Sequence, residues 1–393
     1  MMELELLRYK AYTQNVIWFL KLVGLWPESD PLPKKILSTI TLSSILVVVV
    51  TVSNFSFHNL SNIVVFTSGM CMAASSTSAF SKEHCNILFA KIAMFLLHRE
   101  DVVYLNKYLS GGFMRDMREP NNRPDLLNNV KTFDRLMVTH VICVAIALFT
   151  YSIRPLLVLR KHGKYIRSFP AIYPFAYEPG GLVHWILYAV EVSGTASLWT
   201  VTIGVDCIFG VYALQVCGEL RVLSRKFREL RASDNYKEKL RDCIQRHHVL
   251  INAKNKLDNI YGLISILLIT SATLVLCSLV FQVSELIKTN SYLRVAHLCV
   301  YLIPKFLQIF TYAWYGNLIA EESGACLDAM YGSHWTDACD KNFKNDILIV
   351  LAQEPFALVA MGCMVLQLDL FAKTVKTAVS YFFLLQTLNE KNE

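Results

Sequence analysis

The run from Pro355 to Leu388, PFALVAMGCMVLQLDLFAKTVKTAVSYFFLLQTL, has few possible homes. As one helix its 34 residues would reach roughly 50 Å at about 1.5 Å per residue, beyond a hydrocarbon core of about 30 Å. Proline opens it, where a missing N–H costs nothing because the first helical donors have no partner. The run is apolar enough to enter a bilayer, yet Gln367, Asp369, Lys373 and Lys376 interrupt it. Charges at that depth are costly and face a bundle interior or water. The stretch therefore reads as a candidate pore wall.

Composition agrees with a membrane home. Of the residues, 54% are hydrophobic and 18% charged, and the mean hydropathy is +0.39. Several apolar runs of about 18 residues or more mark a polytopic membrane protein, and no soluble domain of ordinary size fits between them. Cys85, Cys217, Cys243, Cys326 and Cys339 fall in expected cytosolic segments and the other six cysteines in spans, so no disulfide framework is implied. There is no HExxH, no GxSxG and no phosphate-binding glycine loop, and His247–His248 sit on a charged helix where solvation is the default. No enzyme activity, cofactor, metal or nucleic-acid partner is expected.

Taken in order, MMELELLRYK mixes acid and base and carries no expected secretory signal. Residues 8–26 read as an amphipathic helix at the inner membrane surface, stopped by Pro27, Pro31 and Pro33. Expected spans follow at 36–55, 60–80, 131–151 (ending at Pro155), 183–214, 257–287 and 293–318, before the last. Charged helices through Leu230 and over 236–256 flank the second inner loop. Of 38 Lys and Arg, 27 lie on the N-terminal side of these spans and 8 on the other, which places the N-terminus in the cytoplasm. The sequons at Asn54 and Asn59 fall in the first outer loop, on the side open to glycosylation.

The stretch LDLFAKTVKTAVSYFFLLQTL, from Leu368, resembles the terminal motif of insect odorant receptors, a seven-helix family unrelated to G-protein-coupled receptors. YGNLIAEESGACLDAMYGSHW, from Tyr315, is similar to the family's penultimate span and the loop after it, with weaker support from CGELRVLSRKF at Cys217 and YSIRPLL at Tyr151. The resemblance implies an all-α polytopic membrane protein with seven transmembrane helices, a cytoplasmic N-terminus and a cytoplasmic helical anchor. It implies one receptor-channel domain over 1–393, with spans one to six over 36–318 and a short cytoplasmic helix plus pore-lining last span over 337–388. The implied function is the odorant-binding subunit of a ligand-gated non-selective cation channel. Its implied partners are a volatile small-molecule odorant, the shared co-receptor in a heterotetramer, and membrane lipid. The implied location is the plasma membrane of an olfactory neuron dendrite. A gustatory-type receptor channel is the alternative, although its terminal pattern wants other residues at Ser380 and Thr387-Leu388; a transporter or a G-protein-coupled receptor is more remote.

Three constellations carry these expectations. Leu384 and Leu388 share a helical face with Tyr381; alone such a pair is core packing, and the resemblance assigns it, with Thr387, to the hydrophobic narrowing of the pore, which closes by dewetting. Lys376 is a candidate pore-facing charge on the same helix. The implied odorant pocket lies between spans two, three, four and six in the outer half of the membrane. There the candidates are Phe66, Met70, Ala73, Cys143, Ala147, Thr150, Tyr151, Tyr188, Val192, Ala196, His297 and Tyr301, each of which also reads as helix–helix packing. The third is the apolar stripe on the charged helices, Leu223, Phe227, Ile244 and Leu257, joined by Phe343 and Ile347. It reads either as a solvated hairpin or as an anchor where subunits pack.

Overall fold

The computed structural model describes residues 2–27, 39, 43–44, 47, 50, 87–165, 175, 177–231, 236–288, 292–333, 335 and 340–390. The second expected span, most of the first, Phe66, Met70, Ala73, Asn54 and Asn59 lie outside the described residues, as do the side chains of Tyr151, His297, Tyr301 and Leu388. The described chain is helical except for one two-stranded hairpin. Helix α1 spans Met2–Leu22, α2 Ile87–Leu97, α3 Arg99–Tyr104, α4 Gly111–Asp116, α5 Arg123–Leu127 and α6 Val130–His162. Then come α7 (Leu182–Arg228), α8 (Tyr236–Lys288), α9 (Tyr292–Tyr331), α10 (Lys341–Leu351), the hairpin β1–β2 (Val359–Ala360, Met364–Val365) and α11 (Leu368–Glu390). With 47, 53 and 40 residues, α7, α8 and α9 reach roughly 60–80 Å. Each therefore extends beyond a bilayer core and builds the charged body from the same helices that form the spans.

Helix α7 is the central post. Every residue from 203 to 220 is buried, because α1, α5, α6, α8 and α9 surround it. A helix apolar on all sides is a core helix, and this one is covered by protein rather than by lipid. The N-terminal helix is part of that cover. Instead of floating at the membrane surface, α1 buries Tyr9, Tyr12, Val16 and Leu20 against α7. Tyr12 donates to the Cys207 carbonyl at 3.0 Å, and Gln215 donates to the Tyr9 hydroxyl at 2.8 Å. Only its other face, with Leu7 and Trp18, is exposed. Helix α6 likewise departs from expectation, running through Pro155 to His162. The proline removes one backbone bond, and the seven residues beyond it continue the helix.

The last apolar run is not one helix. Residues 355–367 form an extended segment and the β1–β2 hairpin, whose turn holds Met361 at φ 47° and Gly362 at φ 71°. Sequence periodicity missed this turn because its flanks are uniformly apolar. The segment is bonded into the bundle: Phe356 N–H donates to Ser323 Oγ, and Val359 N–H to Asp258 Oδ1, both at 3.0 Å. Helix α11 thus starts at Leu368, and its 23 residues give about 35 Å, a good match to one bilayer crossing. Lys373 and Lys376 then stand in the first half of the span, as its sixth and ninth residues. The seat is tight at Gly316, where a Cβ would meet the Leu366 carbonyl oxygen at 2.1 Å. Gly316→Ala is expected to cost about 1–3 kcal/mol by overpacking, read as a lowered melting temperature of the detergent-solubilised protein.

Candidate functional site

A charged cluster sits on the central post. Asp206 is fully surrounded and accepts from Lys91 Nζ at 2.6 Å and Tyr312 OH at 2.7 Å on one oxygen, and from Gln308 Nε2 at 2.6 Å on the other. Burying one carboxylate and one ammonium is costly unless they pair and are further hydrogen-bonded, and this arrangement pairs the charges and bonds both carboxylate oxygens. It ties α2, α7 and α9 to one atom pair. His140 of α6 approaches the same carboxylate, its Nε2 3.8 Å from Oδ2. Sequence reasoning counted Lys91 as an inner-loop charge and passed over Asp206, although a lone acid inside the apolar run TIGVDCIFG was the available signal.

A small chamber of about 30 Å³ adjoins this cluster, walled by residues of α2, α6, α7 and α9. It lies one to two turns inward of the expected odorant contacts on α6, α7 and α9. Of those contacts, Ala147 is fully buried in packing and Cys143, Val192 and Ala196 are half-buried. Thr150 turns its hydroxyl back onto the Ile146 and Ala147 carbonyls. Tyr188 donates to the Ser152 carbonyl at 2.5 Å and so ties α7 to α6. Of these outer positions, Tyr188 lines a crevice of about 10 Å³ with Pro155, Leu159 and His184.

Helix α11 is two-faced. Thr374 and Ala378 are buried, and Phe371 stacks edge-on against Phe306 and Phe310 of α9 at 5.0 and 5.6 Å. The opposite face exposes Lys373, Lys376, Thr377, Ser380, Leu384 and Thr387 at three- and four-residue spacing, with Tyr381 exposed beside them. The hydroxyls of Thr377, Ser380 and Thr387 bond carbonyls of their own helix, the satisfaction that a membrane interior demands. A face this polar does not belong against lipid.

The charged helical body gathers the C-terminal end of α7, the start of α8 and α10. Here the structure separates the expected anchor residues. Leu223, Phe227, Leu257, Phe343 and Ile347 are buried inside this chain; Phe343 meets Tyr236 edge-on at 4.8 Å. They hold the body together and are not available to a neighbour. Ile244 alone of the six is exposed, joined by Leu348 and Ile349 on α10. The apolar spacing located the helices, but spacing does not reveal which stripe the chain covers itself.

Ion pairs stitch this body to the inner ends of the spans: Arg221 with Glu322, Lys226 with Asp242 at 2.8 Å, and Arg246 with Asp116. Beside the last pair, burial and then the Asp116 carboxylate push the Glu219 carboxyl up to about 8. Folding therefore takes up a proton here. Stability is expected to fall as pH rises from about 4.5 through 8, because the unfolded chain binds fewer protons across that window. Glu219→Gln should flatten the slope, measured as the difference in melting temperature between pH 6 and pH 8.

A central buried post, helices that outrun the bilayer and a final helix with one polar face define a multi-pass helical membrane protein of the receptor-channel kind. The comparisons give the family: the model described as 7tm Odorant receptor matches residues 72–379, and the chain belongs to that family. Odorant receptor 22c of Drosophila melanogaster is 23% identical over 395 residues, covering 93% of this chain and 94% of that one. The odorant receptor coreceptor of Harpegnathos saltator is 29% identical over 147 residues, 37% of this chain and 30% of that one. The olfactory receptor OR5 from Machilis hrabei, solved in complex with eugenol, shares the fold with a TM-score of 0.79 at 16% identity, covering 98% of this chain and 99% of that one.

Proposed function

We propose that this chain is the odorant-binding subunit of a ligand-gated, non-selective cation channel, assembled as a heterotetramer with the family's co-receptor in the plasma membrane of an olfactory neuron. The observation that carries the channel reading is the polar, exposed face of α11. In a membrane such a face needs water or a partner, and copies of the helix around an axis supply both. Leu384, flanked by Thr387 and Tyr381, forms the outer narrowing, and Lys373 and Lys376 stand in the inner vestibule. Ile244, Leu348 and Ile349, beside an open groove of about 550 Å³ between α8 and α10, form the cytoplasmic contact with neighbouring subunits. The excess of Lys and Arg supports a cytoplasmic N-terminus and an outer C-terminus. Odorant binding opens the channel by favouring the open arrangement of α11 through differential affinity.

Co-expression with the co-receptor, an odorant panel and whole-cell recording test this reading. The expected result is odorant-evoked inward current that needs both chains, with a C-terminal epitope labelled on intact cells. Surface-labelled complexes that stay silent to every odorant, or an epitope reached only after permeabilisation, would overturn it.

A further inference from the structure

The segment that leads into α11 is seated between α8 and α9. On the α9 side, Ser323 Oγ accepts from the Phe356 N–H, and on the α8 side Asp258 Oδ1 accepts from the Val359 N–H, both at 3.0 Å. One turn further along α8, a Cβ at Gly262 would meet the Met361 backbone nitrogen at 3.1 Å, so the hairpin lies directly on that helix. Leu358, Ala360 and Leu366 are buried in the same seat. Asp258 is its charged member. The other carboxylate oxygen, Oδ2, pairs with Lys254 Nζ at 2.8 Å, one turn earlier on the same helix. The lysine holds the carboxylate with Oδ1 turned to the hairpin, and a bond from an N–H to an ionised acceptor is among the stronger ones.

The outer part of α11 has no comparable hold. Beyond Ala378, no side chain of the helix among the described residues is buried in this chain. Its direction is therefore set at its base. Leu384 stands about 24 Å from Leu368 at about 1.5 Å per residue, so a tilt of about 5° moves it by about 2 Å. A leucine narrowing closes by dewetting and seals only when every copy presents its side chain to the axis. We propose that Asp258 is a positioning residue for the gate: through the Val359 N–H, its carboxylate fixes the resting tilt of α11. The proposal rests on the channel reading above and adds the device that keeps the closed pore closed.

The test measures basal inward current per surface-labelled chain in cells that also express the co-receptor, with the current of the co-receptor alone subtracted. Two variants share Lys254→Met, so that neither leaves a lysine without its counter-charge, and they differ only in the acceptor. Lys254→Met with Asp258→Ala lacks it, and Lys254→Met with Asp258→Asn keeps a carbonyl oxygen there. One hydrogen bond shifts an equilibrium about three- to tenfold. Basal current is expected to rise by that factor in the alanine variant and to stay near the wild type in the asparagine variant. Equal leak in the two overturns the proposal. Val359→Pro removes the donor instead, at the first residue of a strand, where proline is tolerated. It should match the alanine variant, and a wild-type leak there also overturns the proposal. Failure of all three variants to reach the surface does the same, since the bond then serves folding. A wild type that answers a panel of six-carbon alcohols, esters, ketones and terpenes, with unchanged leak in all variants, sinks the positioning role and leaves the channel standing. Surface complexes silent in the wild type and in every variant sink both.

Discussion

Asp206→Ala is expected to abolish surface expression. The substitution leaves Lys91 buried without its counter-charge, and Gln308 and Tyr312 without their acceptor. Breaking a buried pair from one side costs about 3–5 kcal/mol, a large part of a total stability of about 5–15 kcal/mol. The same arithmetic predicts a rescue. Lys91→Met combined with Asp206→Leu removes both charges, and replacing a buried pair by apolar groups of similar volume is often neutral or better. The double variant should return to the surface, scored by biotin labelling and by melting temperature. Normal surface levels for Asp206→Ala would show that the cluster does not hold α2, α7 and α9 together.

Leu384→Ala is expected to open the channel at rest. Leu384 is 52% exposed in the single chain, so its side chain is available to close a pore rather than to fill this chain's core. Alanine removes on the order of 2 kcal/mol of apolar contact at about 0.8 kcal/mol per methylene, and about 1.4 kcal/mol is already tenfold in an equilibrium. Basal current in the absence of odorant should rise about tenfold. Unchanged leak together with unchanged evoked current would place Leu384 away from the conduction path. Lys376→Gln reports on the inner end of the same stripe. Removing that charge should raise permeability to divalent relative to monovalent cations, read as a shift in reversal potential.

These two experiments address residues that differed greatly in how visible they were. Leu384 stood in a terminal motif whose spacing put it on one face with Tyr381 and Leu388, and the structure exposes it on the polar side of α11. Asp206 had only its isolation in an apolar run to mark it. Its partners lie 102 to 115 positions away in the chain, a separation that no helical period encodes. Lys91 illustrates the same limit from the other side, since a charge near a span end counts as solvated until a tertiary partner is seen. The anchor residues show it a third way. Leu223, Phe227, Leu257, Phe343 and Ile347 have the spacing of an interface, and the fold buries them inside this chain.

The amino-acid sequence by itself determined the all-α membrane class, the continuous helices that run from spans into the charged body, and the terminal stripe. Each of these follows from local hydrophobicity and period, quantities that a stretch of chain carries whatever surrounds it. Only the tertiary structure decided that α1 is part of the bundle, that a hairpin at Met361–Gly362 shortens the last helix to a single crossing, and which apolar stripes stay uncovered. The reason is that burial, and the charge pairs that join different helices, belong to pairs of distant residues. Their free energies appear only when the long helices are brought together around α7.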